Sequence, residues 1–242
     1  MKISVVVPAF NEEKLLPRML EALRDAVGAF AERGWESETI VCDNNSTDRT
    51  AAIAREHGAR VVAEPINQIG RARNSGAAAA TGDWLLFLDA DSLPTRELLA
   101  EAADRVAAGD VIFVGACVAL DGEVRPIARM FLNGWNTLSR TLRWMAGSFV
   151  LVETSAFREI GGFSLQLYAG EELDLSRRLK ALAKRRGRKV AILRKHALKS
   201  SARRVTMYSQ WEILRFFLRA VWRPRATPTS REACGMWYDG RR

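Results

Sequence analysis

Four short apolar runs alternate with helical segments in the first ninety residues, and that alternation admits few folds. Ile3 to Val7, rich in β-branched residues and ended by Pro8, reads as a buried strand. Thr39 to Cys42, Arg60 to Ala63 and Trp84 to Leu88 read as three more. Between the first two, Leu15, Leu16, Met19, Leu20, Leu23 and Val27 recur at helical spacing. Asn11 is the expected cap of that helix, with Glu12 and Glu13 in its first turn. Ser46 or Thr47 is expected to cap a helix running to His57, and a glycine-bounded helix is expected from about Gly70 to Thr81. Such alternation predicts an α/β domain on a Rossmann-like, doubly wound, mostly parallel sheet.

The rest of the chain continues less evenly. The pattern predicts a helix over 95–107, a strand over 111–120 with the turn Asp121-Gly122, and an irregular stretch over 126–147. A strand over 149–152, helices over 154–160 and 172–186, and a late strand over 190–193 follow. A last helix over 210–222 precedes a tail from Pro224. No repeat or linker interrupts this pattern. Residues 1–205 therefore read as one domain, and 206–242 as a helical, amphipathic C-terminal appendage of the same unit.

Charge is distributed unevenly. Residues 1–176 hold 17 lysines and arginines against 25 acids, whereas residues 177–242 hold 20 against 3. The C-terminal quarter is thus built to meet something anionic: nucleic acid, an anionic membrane surface or a diphosphate. Nucleic acid is disfavoured, because no recognisable reading element accompanies the charge. Arg215, Arg219 and Arg223 form a stripe beside Trp211, Phe216 and Trp222, which suits a membrane interface, as does the basic-aromatic stretch from Met130 to Trp144. Packing on the core with the arginines in water accounts for both equally. No run of about 18 apolar residues reads as a span, and Met1-Lys2-Ile3 opens straight into a strand rather than a leader. The expectation is a cytoplasmic chain, peripheral at most at the inner face of a membrane. The 3 cysteines, Cys42, Cys117 and Cys234, have no zinc or CxxC spacing and are expected to be reduced.

In doubly wound sheets, ligands bind at the carboxyl ends of strands. Pro8-Ala9-Phe10-Asn11-Glu12 follows the first strand here, Asp43-Asn44 the second and Asp89-Ala90-Asp91 the fourth. In an extended segment Asp89 and Asp91 fall on one side, so both carboxylates can face one point. Mg²⁺ or Mn²⁺ takes such oxygen ligands together with diphosphate and water.

These motifs occur with Gly70-Arg71-Ala72-Arg73-Asn74-Ser75-Gly76, Gly82-Asp83, Gly161-Gly162-Phe163 and Gly170-Glu171-Glu172-Leu173-Asp174-Leu175, in that order. Together, over roughly residues 3–195, they resemble a family-2 glycosyltransferase with the GT-A fold, and the later Ser200-Ser201-Ala202-Arg203-Arg204 resembles its small bacterial members without a membrane anchor. The resemblance implies transfer of a sugar from a nucleotide-diphosphate donor, of UDP or GDP type, to a hydroxyl acceptor, and a lipid-linked acceptor would fit. It implies that Pro8, Asn11 and Glu12 line the nucleotide pocket, that Asp43 and Asn44 meet the base, and that Arg71 or Arg73 meets the donor phosphates or sugar. For Arg73 a structural ion pair is an equal alternative. Asp89 and Asp91 become donor and metal residues, His196 a third metal ligand, and Arg203 and Arg204 diphosphate contacts. Glu172 takes the position of the base that deprotonates the acceptor. Two departures matter: the family often has Asp at the position of Asn44, which leaves uracil or guanine open, and usually has Asp at the position of Glu172. Two other functions compete. A nucleotidyltransferase would carry a glycine-rich phosphate loop after the first strand. A silent nucleotide-binding or basic interaction module would tolerate loss of Asp89, Asp91 or the Glu171-Glu172 pair.

Overall fold

A computed structural model of the chain describes residues 1–122, 126–203 and 226–238. Strands β1 (Lys2–Ala9), β2 (Glu36–Asp43), β3 (Arg60–Ala63) and β4 (Trp84–Leu88) are parallel and lie side by side in the order β3-β2-β1-β4. The sheet continues through β7 (Phe149–Glu153), β6 (Val111–Asp121) and β8 (Lys189–Ser201) to the two-residue β5 (Ser92–Leu93). β7 is antiparallel to both neighbours, β8 is parallel to β6, and β5 is antiparallel to β8.

Alternation along the strands explains why helices cover both faces. Ile3, Val5 and Val7 of β1, Val41 of β2 and Leu86 and Leu88 of β4 enter one core. There they meet α1 (Leu16–Ala26), α2 (Gly28–Ala31), α3 (Thr50–Glu56) and α5 (Arg96–Ala107). Val6, Ile40, Leu85 and Phe87 enter a second core with α4 (Ile69–Ala79), α7 (Thr154–Glu159) and α8 (Glu171–Arg185). A strand apolar on both faces cannot stand at a solvated surface, so burial on both sides follows from the residues themselves. Close approach completes the packing of α4 on β1. A Cβ on Gly76 would stand 2.4 Å from Val6 Cγ1. Gly76→Ala is therefore expected to destabilise the chain by about 1–3 kcal/mol through overpacking. Urea denaturation reads this directly, and a change below ~0.5 kcal/mol would show that the contact relaxes freely.

Several expectations need correction. The first helix begins at Leu16 rather than after Asn11, with Pro17 in its first turn. Asn11 adopts a left-handed φ of 52°, and its Oδ1 accepts the Thr47 N–H at 2.8 Å, so it ties two loops together instead of capping. Neither Ser46 nor Thr47 caps α3, which begins at Thr50, and the Thr50 N–H donates to Asp48 Oδ1. The stretch expected to be irregular holds a 17-residue helix, α6 (Pro126–Leu142). Asn136 fastens it to β6, accepting from Val118 N–H and donating to Val118 O. β8 runs far past Leu193, because its register slips between Leu193 and Leu198 and pairing resumes to Ser201. The expected helix over 210–222 lies outside the described residues.

Candidate active site

The order of strands reverses beside β1. From β1 the chain goes outward to β2 and β3, then returns through α4 to β4 on the other side. A crevice opens at such a switch point. Here it is a cleft partly open to solvent. Pro8, Ala9, Phe10 and Glu12 line it from the end of β1, Asn44 from the end of β2, and Asp89, Ala90 and Asp91 from the end of β4. Asn67, Ile69 and Tyr238 complete the wall.

Arg73 organises the floor. It is only 2% exposed, and its three nearest acceptors come from three different segments. Nη1 donates to Glu171 Oε1 at 2.8 Å, and Nη2 donates to Asp89 Oδ1 at 2.9 Å and to Gly147 O at 3.0 Å. The guanidinium also lies 5.1 Å from the ring centre of Phe163. Burial acts to lower the Arg73 pKa, but Asp89, Glu171 and Glu172 together raise it, so the side chain stays charged. Arg73 is thus an ion-pair residue, which is the structural alternative the sequence left open for it beside donor contact.

Glu172 sits one residue further along the first turn of α8. A Cβ on Gly147 would lie 3.3 Å from Glu172 Cδ and 3.4 Å from Arg73 Nη2, so glycine at 147 is what lets both side chains approach the same point. Arg73 gives its hydrogen bonds to Glu171 rather than to Glu172. Burial first, and the Glu171 carboxylate second, push the Glu172 carboxyl up to about 8, against the opposing pull of Arg73. Carboxyls poised near neutrality serve as acid–base groups.

Arg203 bridges the other two loops. Its Nη2 donates to Glu12 Oε1 at 2.7 Å and stands 3.8 Å from Asp91 Oδ2. It reaches that place because β5 pairs with β8 and the Ser201 N–H donates to Asp91 O at 3.1 Å. Arg204 lies outside the described residues. Asn44 is buried, and its Nδ2 donates to the carbonyls of Glu64 and Ile66 at 3.2 and 2.7 Å; only its Oδ1 is left for a ligand. Asp43 stands outside the cleft wall and accepts from the Ser46 N–H. Arg71 donates to Gln68 Oε1 at 3.1 Å rather than lining the cleft.

His196 falls in the bulge of β8, where its Nδ1 meets Glu101 Oε2 of α5 at 3.1 Å. The same carboxylate receives the backbone N–H groups of Arg194, Lys195 and His196. His196 therefore has a carboxylate partner on α5. Among the described residues, no three His, Cys, Asp or Glu side chains gather closely enough to cage a metal. Asp89 and Asp91, by contrast, both line the cleft and offer hard oxygen atoms. One or two such carboxylates, completed by phosphate and water, is the protein share that Mg²⁺ or Mn²⁺ ordinarily takes. The pair fits a cation that arrives with a diphosphate.

Tyr238 was hidden in a stretch expected to be a tail. The short helices α9 (Ala226–Thr229) and α10 (Gly235–Tyr238) fold back on the domain. Tyr168 N–H donates to Pro228 O at 2.7 Å, Tyr238 Oη donates to Tyr168 O at 3.1 Å, and Cys234 is fully buried. No periodicity or motif in the sequence signals this return. No motif points to Gly147, Asn67 or Ile69 either, since their places at the site depend on packing.

Residues 4–161 match the sequence model of the family described as Glycosyl transferase family 2. The chain belongs to that family. Among curated relatives, an uncharacterized glycosyltransferase of Mycobacterium bovis is 42% identical over 89 residues, covering 37% of this chain and 36% of the relative. The chain spans only 22 to 36% of the length of such relatives. Residues 1–349 of Staphylococcus aureus TarS in complex with UDP-GlcNAc superpose with a TM-score of 0.67 at 20% identity, covering 83% of this chain and 58% of that one. A mannosyltransferase of Pyrobaculum calidifontis in complex with GDP-Man and Mn²⁺ superposes with a TM-score of 0.64 at 19% identity, covering 97% and 68%. At these identities the likeness shows the fold, which is GT-A.

Proposed function

We propose that this family-2 chain transfers a sugar from a nucleotide-diphosphate donor, of UDP or GDP type, to a hydroxyl acceptor, with Glu172 as the base. One observation carries the reading: Arg73 joins Asp89, at the cleft wall, to Glu171, beside Glu172. The donor's diphosphate end and the acceptor's hydroxyl are thereby set against one rigid, buried frame. Donors in the superposed structures include UDP-GlcNAc and GDP-Man, which supports the donor class. In this mechanism Glu172 takes the acceptor's hydroxyl proton as the acceptor oxygen bonds to the sugar's anomeric carbon. The bond from that carbon to the phosphate oxygen breaks, and the nucleotide diphosphate departs with its electron pair. Mn²⁺ or Mg²⁺ held by Asp89 and Asp91 would supply charge neutralisation for that leaving group. Arg203, half-buried beside Asp91, adds a positive charge on the same side.

Among the described residues, no helix is long and apolar enough to cross a membrane. Met130 and Leu138 are exposed on α6 beside the exposed Arg129 and Arg140. That mixture supports peripheral contact with an anionic membrane, and so a lipid-linked acceptor.

Thermal stabilisation by UDP and by GDP, each with and without Mn²⁺, tests the donor site. A ligand at a hundred times its Kd should add about 2.7 kcal/mol to native stability. One nucleotide is expected to stabilise the wild type with metal, and Asp91→Ala to abolish the metal-dependent part. Silence of the wild type towards both nucleotides would refute the donor reading.

A further inference from the structure

We propose that Tyr238, brought back from the end of the chain, is a specificity-determining wall of the donor cleft whose ring packs against the nucleotide. The inference rests on the donor-site reading and extends it to a residue outside the segment that matches the family, which ends at 161. Tyr238 lines the same cleft as Pro8, Asn44 and Asp91. It stands there by construction. Its hydroxyl donates to Tyr168 O and lies 3.5 Å from the Ile69 N–H that opens α4. Its ring packs edge-on against Tyr168 at 5.5 Å between centroids. The segment behind it is anchored by the Tyr168–Pro228 backbone bond and by the fully buried Cys234.

These contacts divide the side chain into two ends with different tasks. The hydroxyl is engaged on the protein and the Arg231 guanidinium stands 5.9 Å from the ring centre on one face, so the part of the ring that lines the cleft is what remains for a ligand. Burial first, and the nearby Glu171 charge second, hold the phenol above its ordinary range; it stays neutral and does not compete with Glu172 as a base. A neutral aromatic face on the same cleft as Phe10 and Ile69 is suited to the flat, polarisable surface of a nucleobase, and because stacking strength differs between bases it favours one nucleotide over another. Asn44 and Asn67 on the same cleft add polar discrimination.

The experiment is calorimetric titration of the full chain with UDP and with GDP, in Mn²⁺, for wild type, Tyr238→Ala and Tyr238→Phe. Tyr238→Ala is expected to weaken the preferred nucleotide about tenfold and to change the ratio of UDP to GDP affinity, in a ligand-free protein that still unfolds cooperatively. Tyr238→Phe keeps the ring and should bind within about twofold of wild type. Unchanged affinities and an unchanged ratio in Tyr238→Ala overturn the inference. So does an equal loss in Tyr238→Phe, which would assign the effect to the hydroxyl anchor and not to the ring. A wild type that binds neither nucleotide removes the donor site itself, and the inference with it.

Discussion

Replacing Arg73 by alanine is expected to destabilise the fold by about 3–5 kcal/mol, the range for breaking one side of a buried ion pair. The reason is what the substitution leaves behind. Glu171 in the interior and Asp89 at the cleft wall would both lose their counter-charge, and Gly147 O would lose its donor. Glu171 is itself only 4% exposed, so water cannot readily replace the guanidinium. The arginine is not fully satisfied even now, because its Nε is buried without a hydrogen-bond partner among the described residues. Its two Nη groups thus account for the placement. Arg73→Lys should recover part of the loss, since an ammonium keeps the charge but not the fork that reaches both carboxylates. Urea denaturation near neutral pH measures both variants. A loss below ~1 kcal/mol for alanine would mean that the carboxylates protonate or find water, and would remove Arg73 from the centre of the site.

Glu172→Gln should lower turnover by about 10² to 10⁴-fold while leaving nucleotide binding intact, as expected for loss of a general base. Its pH dependence separates this from a structural defect. With the carboxyl of the folded chain near 8, the competent carboxylate accumulates as pH rises, so the wild-type rate should climb through that value. Stability moves the other way. The folded chain holds this proton between the unfolded value of 4.5 and about 8, whereas the unfolded chain has released it. The stabilisation from Glu172 is therefore fully present below 4.5 and is lost as pH rises towards 8. Activity and this part of the stability should thus run in opposite directions over one window, and the glutamine variant should flatten both. A wild-type rate that is flat between pH 6 and about 9, or a Gln variant with near-normal turnover, would dismiss Glu172 as the base. Glu172→Asp restores the family's usual residue with a shorter reach, so its activity reports how closely the acceptor must approach.

The amino-acid pattern alone determined much of the framework. Ile3–Val7 and Trp84–Leu88 are apolar on both faces, which requires helices on both sides of a parallel sheet. In such a sheet the residues after each strand must share an edge, so Pro8, Asn44, Asp89 and Asp91 were legible as neighbours from the pattern alone. What stayed illegible depends on contacts between distant segments. The choice of Arg73 as an internal counter-charge follows from Glu171 and Gly147, 98 and 74 positions further on. The meeting of Arg203 with Glu12 spans 191 positions, and a two-residue β5 beside a bulged β8 brings it about. His196 was read from its place after a strand, but the same bulge turned it towards Glu101. Tyr238 offered no pattern at all, because a short helical turn docked by a few contacts leaves no periodicity. Local spacing encodes which face of an element is buried, since that depends only on the geometry of a helix or strand. Which charges meet across the core is decided by how those elements pack, and only the tertiary structure carries that.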